Sequence, residues 1–183
     1  MQIMVNKTGI DLVEGDITQQ ETEAIVNAAN SALAGGGGVD GAIHRAAGAD
    51  ALQAACRPLK GCQTGDAKIT PGFRLKAKYI IHAVGPMYHP ADDNVPRLLA
   101  SAYRRSLEVA VENGIKTVAF PSISTGVYGY PMQEAAEIAL HTAIEFATEH
   151  PDLDLIRFVL FGRQAYDIFE RTLQKLAKQA DVQ

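Results

Sequence analysis

Only two cysteines, Cys56 and Cys62, occur in the 183 residues, both near the end of one helical stretch. Two thiols are too few for a disulfide scaffold and lack the four-ligand spacing of a structural zinc site; they suit a cytoplasmic protein with reduced thiols. The N-terminus lacks the apolar core of a secretory leader, and no run approaches the ~18 apolar residues needed to cross a membrane. Positive charge is also short: 17 Lys and Arg against 21 Asp and Glu leave a net charge of −4. That balance argues against an extended nucleic-acid surface, which depends on clustered cations. An anionic ligand must then be held by local donors rather than a global field. Repeats, low-complexity tracts and linkers are absent too, so residues 1–183 read as a single domain, long enough for a sizeable core.

Glycine, by contrast, is concentrated. A short apolar run, Ala24 to Val26, suits a buried strand ending at Asn27, and four successive glycines follow at Gly35 to Gly38. Asp40 and a helix-prone segment from Gly41 to Ala47 come next, stopped by Gly48. Glycines let backbone approach a ligand closely. Placed before a helix N-terminus, they leave N–H donors and the positive end of a helix dipole facing an anion. Gly36, Gly38 and Gly41 fit G-x-G-x-x-G literally, but they stand well after the strand and no later acid ends a second strand, as a dinucleotide fingerprint requires. A P-loop would need Gly-Lys-Ser or Gly-Lys-Thr, which is missing. A flexible surface loop is the plain alternative; its position between a buried strand and a helix argues for a phosphate-bearing ligand, with Asn30 and Asp40 beside it.

Along the rest of the chain, Ile3 to Val5 and Ile10 to Val13 read as a hairpin-like pair of strands. Thr18-Gln-Gln-Glu21 fits a capping box, so Thr18 is expected to start a short helical turn. This leaves Asp16 either a solvated turn residue or an acceptor for an exocyclic amine such as adenine's. Asp50 is expected to cap a helix to Cys56. Ala67 to Thr70 and Tyr79 to Val84 are strands, the second apolar on both faces and carrying His82 as a hydrogen-bonded core residue. Pro96 is expected to open a covering helix to Glu112. Thr117 to Phe120 is a buried strand leading into Pro121-Ser-Ile-Ser-Thr-Gly-Val-Tyr-Gly-Tyr-Pro131, and an amphipathic helix follows to about Glu149. Ser124, Thr125 and the backbone around Gly126 can donate to phosphate oxygens, while Tyr128 and Tyr130 either face a sugar or pack at the junction. Leu155 to Leu160 is a strand and Arg163 to about Lys178 a helix; Phe161 between them either stacks on a base or joins the core.

Strands alternating with helices predict an α/β fold, a mostly parallel central sheet with helices on both faces. Ligands collect beyond the carboxyl ends of such strands. The loops at Asp16, Asn30 to Asp40, Ser124 to Tyr130 and Phe161 all follow strands and are expected to meet along one edge. Two donor-rich loops facing each other describe a diphosphate clamp, with Asp16 and Phe161 at the base end.

The chain also resembles macrodomains of the MacroD type. The likeness rests on Gly15-Asp16-Ile17-Thr18, Asn27-Ala-Ala-Asn30, Gly-Gly-Gly-Gly-Val-Asp-Gly-Ala-Ile-His from Gly35, Thr64-Gly65, His82-Ala-Val-Gly-Pro86 and Ser124-Thr-Gly-Val-Tyr-Gly-Tyr-Pro131. It implies a three-layer α/β/α macrodomain fold with a mixed, mostly parallel sheet. It implies binding of ADP-ribose and O-acetyl-ADP-ribose, with removal of ester-linked groups at the distal ribose and of mono-ADP-ribose from acidic side chains of proteins. On that likeness Asp16 holds the adenine amine with Ile17 beside it. Asn27, Gly35, Gly36, Gly37, Gly38 and Val39, with Ser124, Thr125, Gly126, Val127 and Tyr128, bind diphosphate and riboses, and Phe161 lies at the base. Asn30 and Asp40 face the distal ribose as the catalytic pair: Asn30 fixes hydroxyls, and Asp40 positions or deprotonates a water. Asp40 is also a fair helix N-cap. Phe161-Gly162-Arg163-Gln164 departs from the pattern by lacking an acidic residue, which touches only the base end. No metal-ligand spacing is visible, so no cofactor is expected and hydrolysis is expected to be metal-independent. The alternative is a reader module that binds ADP-ribose without turnover.

Overall fold

The computed structural model describes residues 1–181. Seven strands form one sheet: β1 (Gln2–Val5), β2 (Thr8–Glu14), β3 (Ala24–Ala28), β4 (Ala67–Pro71), β5 (Tyr79–Ala83), β6 (Thr117–Phe120) and β7 (Leu155–Leu160). Their spatial order is β1-β2-β7-β6-β3-β5-β4. The four inner pairings are parallel, and only the outermost, β1 with β2 and β4 with β5, are antiparallel. Five helices cover the sheet: α1 (Gly38–Ala47), α2 (Ala49–Cys56), α3 (Asn94–Glu112), α4 (Met132–Glu149) and α5 (Arg163–Asp181). Among the described residues no helix is long and apolar enough to cross a membrane.

Alternation along the inner strands explains why they read as continuous apolar runs. Val26, Ile81, Phe120 and Phe158 face α3, α4 and α5, joining Leu99, Tyr103, Phe146 and Phe169. Their neighbours Ile25, Ile80, Ala119 and Val159 face α1 and α2, joining Ile43 and Leu52. The sheet is thus the middle of three layers. Asn27 and His82 follow Ile25 and Ile80 by two residues, so both point into the α1–α2 layer, and their Cα atoms are register partners.

Four local expectations are corrected. The turn at Ile17–Gln19 is capped by Asp16, whose Oδ1 accepts from the Thr18 amide at 2.8 Å and the Thr18 hydroxyl at 2.7 Å. Asp16 therefore has a structural task, and Thr18 is not the cap. Gly48 rather than Asp50 caps α2: its φ of 100° lets one residue end α1 and start α2, while its N–H donates to the His44 carbonyl. Pro96 stands at the third position of α3, where its missing N–H costs nothing because first-turn amides have no intrahelical acceptor. Finally, α1 begins at Gly38, so Asp40 is its third residue, not its cap.

One buried anchor ties the fold to the site. The Tyr103 hydroxyl on α3 accepts from the Ile123 amide at 2.9 Å and donates to the Pro121 carbonyl at 3.3 Å. The loop after β6 is thereby fixed to the helical layer.

Candidate active site

A cavity of about 270 Å³ opens at the carboxyl ends of β3, β5 and β6. One wall is Asn30 and the glycine loop into α1, Gly36, Gly37, Gly38, Val39 and Asp40; the other is the loop after β6, with Ser124, Gly126, Val127 and Tyr128. The amides of the first turn of α1 lack intrahelical acceptors and present the positive end of the helix dipole to this space. Opposite them, Ser124 holds a left-handed φ of 68° and is 6 % exposed. Among the described residues its Oγ has no hydrogen-bond partner, which leaves a buried hydroxyl free to meet an anion.

The glycine loop is packed to tight tolerance. A Cβ on Gly41 would stand 2.6 Å from the Gly36 carbonyl oxygen, so only glycine lets the loop fold back on its own helix. Asn30 braces the loop from within: its Nδ2 donates to the Gly35 carbonyl at 2.9 Å, and its Oδ1 accepts from the Ala34 amide at 3.1 Å. A point 3.5 Å from Asp40 Oδ2 and 3.8 Å from Asn30 Nδ2, where a Gly36 Cβ would stand, marks the gap between the two side chains.

Asp40 is 5 % exposed and tightly held. Its Oδ1 accepts from Asn27 Nδ2 at 2.8 Å and lies 3.0 Å from His44 Nδ1. His44 Nδ1 also stands 3.0 Å from the Asp40 carbonyl oxygen, so both neighbours of this nitrogen are acceptors and it carries the proton. His44 Nε2 then accepts from the Gln53 amide at 2.7 Å, whose nitrogen also donates to the Leu33 carbonyl. With Oδ1 doubly engaged, Oδ2 is the oxygen left toward the Gly36–Asn30 gap.

Six expected site residues lie off the cavity wall. Asn27 is fully buried behind Asp40 and binds the carboxylate. Gly35 lies against the His44 ring, and the Thr125 hydroxyl is tied to the Ser122 carbonyl at 2.9 Å. Asp16, Ile17 and Phe161 follow β2 and β7, farther along the same sheet edge. Ile17 is core, whereas Phe161 is 91 % exposed and so is not. Tyr130 is packing, edge-on to Tyr88 at 5.0 Å. Conversely, Ala28, Ala29, Gly85, Ser122 and Ile123 line the cavity without having been singled out. His44 also braces Asp40 from behind the wall, and its spacing of four from Asp40 on a helix is the sequence signal for that contact.

Behind Asn27, His82 is 1 % exposed, with Nδ1 3.1 Å from Asn27 Nδ2 and Nε2 2.9 Å from the Thr70 hydroxyl. Burial first, and then the nearby His44, push its imidazole down to about 4 from 6.5. In the unfolded chain this group takes its proton near 6.5, in the folded chain only near 4. The unfolded state therefore binds the extra proton between those values, and stability is full above the upper one and falls as pH drops toward the lower. We expect the thermal midpoint to decline over that window, with His82 supplying up to about 3 kcal/mol of the loss. Scanning calorimetry of wild type and His82→Asn across that range checks this: the variant should lose less on acidification. Burial also raises the thiols of Cys56 and Cys62, the latter to about 11, so neither is a ready nucleophile.

Comparison with known proteins agrees with this geometry. Residues 26–139 match the Macro domain. A macro domain-containing protein of Lactiplantibacillus plantarum is 56 % identical over 91 % of this chain and 97 % of its own. A protein of Cronobacter sakazakii named O-acetyl-ADP-ribose deacetylase is 48 % identical over 93 % of this chain and 96 % of its own. The Oceanobacillus iheyensis macrodomain solved with ADP superposes with a TM-score of 0.93 at 45 % identity, covering 98 % of this chain and 97 % of that one.

Proposed function

The chain belongs to the macro domain family, and on that footing we propose that it is an ADP-ribose-binding hydrolase that removes ester-linked groups at the distal ribose. The observation that carries the reading is the division of labour at Asp40: Oδ1 is held by Asn27 and His44, and Oδ2 is left beside Asn30 at the cavity. A buried carboxylate braced in this way suits the positioning of a water better than passive binding does. The substrates are O-acetyl-ADP-ribose and mono-ADP-ribosyl esters of acidic side chains on proteins. The whole of residues 1–183 acts as one such domain, in a reducing, cytoplasmic setting that fits its two free buried thiols.

In this mechanism the first turn of α1 and the Ser124 loop clamp the diphosphate, with Val127 and Tyr128 beside it. Asp16, Ile17 and Phe161 serve the base end. Asn30 Nδ2 has a second hydrogen for a distal-ribose hydroxyl and fixes the ring. Asp40 Oδ2 orients a water toward the ester carbonyl. Attack forms the new carbon–oxygen bond, the ribose oxygen leaves with a proton, and ADP-ribose and acetic acid are released. The reaction uses no metal.

Incubation with O-acetyl-ADP-ribose in excess EDTA tests this. We expect catalytic release of ADP-ribose, unchanged by the chelator. Tight ADP-ribose binding without turnover would overturn the hydrolase reading in favour of a reader module, and loss of turnover in EDTA would overturn metal independence.

A further inference from the structure

We propose that His82, a neutral imidazole outside the cavity, is a positioning residue for Asp40 that acts through the amide of Asn27. The inference rests on the hydrolase reading above and goes beyond it, because His82 touches neither the cavity nor Asp40.

Three buried side chains from three strands form one row beneath the site. Thr70 on β4 bonds His82 on β5, and His82 bonds Asn27 on β3, which bonds Asp40 on α1. The hydrogens can be assigned from the acceptors. Asn27 Nδ2 has two: one goes to Asp40 Oδ1 at 2.8 Å, the other to His82 Nδ1 at 3.1 Å. His82 Nδ1 is therefore an acceptor, and its single proton sits on Nε2, directed at the Thr70 hydroxyl. That hydroxyl in turn donates to the Pro71 carbonyl at 3.1 Å. Each donor has its acceptor, and donation diverges from Asn27: one way to Asp40, the other through His82 and Thr70 to the Pro71 carbonyl.

The reverse arrangement fails on charge. A proton on His82 Nδ1 would call for the Asn27 oxygen on that side. The amide would then turn an oxygen toward Asp40 Oδ1 at 2.8 Å, two acceptors face to face. The tautomer of His82 thus selects the amide orientation that presents a donor to Asp40 Oδ1. In the observed orientation Asn27 Oδ1 has no partner among the described residues. The arrangement leaves one buried acceptor unmatched and keeps the donor on the carboxylate, the side that matters for water attack. The other titratable groups facing His82 are His44 on α1, the Cys56 thiol at 4.0 Å from α2 and Lys68, its register partner on β4. The Lys68 ammonium is held by the Leu59 and Gly61 carbonyls, and none of these groups contacts Asn27 Nδ2 in place of His82.

The test compares His82→Leu, which removes the acceptor, with His82→Asn, whose Oδ1 stands where Nδ1 stood. For O-acetyl-ADP-ribose we expect kcat of His82→Leu to fall about 10- to 100-fold, with KM and the ADP-ribose Kd within about threefold of wild type. His82→Asn should recover most of the loss. A kcat for His82→Leu within about twofold of wild type, or a His82→Asn variant no better than His82→Leu, would overturn the proposal. Should His82→Leu fail to fold, Thr70→Val carries the same test: loss of the Nε2 acceptor should lower kcat and leave KM in place, and an unchanged kcat overturns it. Imidazole ¹⁵N NMR of the wild type supplies a readout independent of turnover. The proton is expected on Nε2, and a proton on Nδ1 sinks the positioning role even if the protein is an active hydrolase. An inactive wild type with the Nε2 tautomer would instead overturn the hydrolase reading, and positioning for catalysis with it.

Discussion

Asp40→Ala is expected to lower kcat on O-acetyl-ADP-ribose by about 10²- to 10⁴-fold, the range associated with a positioned general base, while the ADP-ribose Kd stays within about threefold. On the proposed reading the two readouts separate, because Asp40 Oδ2 lies at the Gly36–Asn30 gap, whereas the diphosphate would be held by backbone donors and Ser124. The alanine also strands two buried donors, Asn27 Nδ2 and His44 Nδ1, at a cost of about 1–3 kcal/mol each. Kinetics should therefore be run well below the variant's thermal midpoint. Asp40→Asn keeps an acceptor for those donors and removes only the charge. If Asp40→Asn is as inactive as Asp40→Ala, the carboxylate's charge is required. If both turn over like wild type, the water is activated by another group, and a substrate phosphate oxygen is the nearest candidate.

The second large effect comes from the opposite kind of change, adding atoms. Gly36 is not among the glycines in the left-handed region, so valine there meets no left-handed strain. Its Cβ would lie 3.5 Å from Asp40 Oδ2 and 3.8 Å from Asn30 Nδ2, and its two methyl groups would extend into the gap assigned to the distal ribose. Gly36→Val is therefore expected to fold with an unchanged thermal midpoint, yet to weaken ADP-ribose by about 100-fold and to abolish detectable turnover. Isothermal titration with ADP-ribose and with ADP distinguishes this from a general collapse. ADP lacks the distal ribose, so its affinity should fall much less. Equal losses for both ligands would move the distal ribose away from Gly36.

Much of this molecule was legible in its residues, for physical reasons that differ by element. Thr117–Phe120 and Leu155–Leu160 were read to the residue, because a strand buried on both faces leaves an unbroken apolar run. The glycine loop was legible as one wall of a cavity, because four glycines between a buried strand and a helix let backbone line open space. The start of α1 was not, since glycines carry no periodicity to mark a first turn, and that hid the fact that Asp40 is braced rather than capping. The row from Thr70 to Asn27 was invisible for another reason. Asn27 and His82 are 55 residues apart and meet only because β3 and β5 pair in one particular register, which no local pattern encodes. His82 was read as a hydrogen-bonded core residue, and it is one; its link to the site lies in whom it bonds. Asp16 shows the converse, a residue singled out for a ligand that also has a structural task as a turn cap.

The strand order has a consequence for how the protein comes into being. β3, β4, β5 and β6 all lie within residues 24–120, so the half of the sheet beneath Asn30 and Asp40 can pair early during synthesis. β2, by contrast, joins the rest of the sheet only through β7, and Thr8 waits for Leu153, its hydrogen-bond partner 145 residues later. β1 and β2 are thus made before the other strands of the sheet and joined to them last, and β2 stays an open edge until β7 is made. Such non-local closure is slow, and it makes docking of the β1–β2 hairpin a natural late step in folding. The side of the cleft carrying Asn30 and Asp40 takes shape first, and the side at Asp16 and Phe161, to which the proposal gives the adenine, is completed only when that step is over.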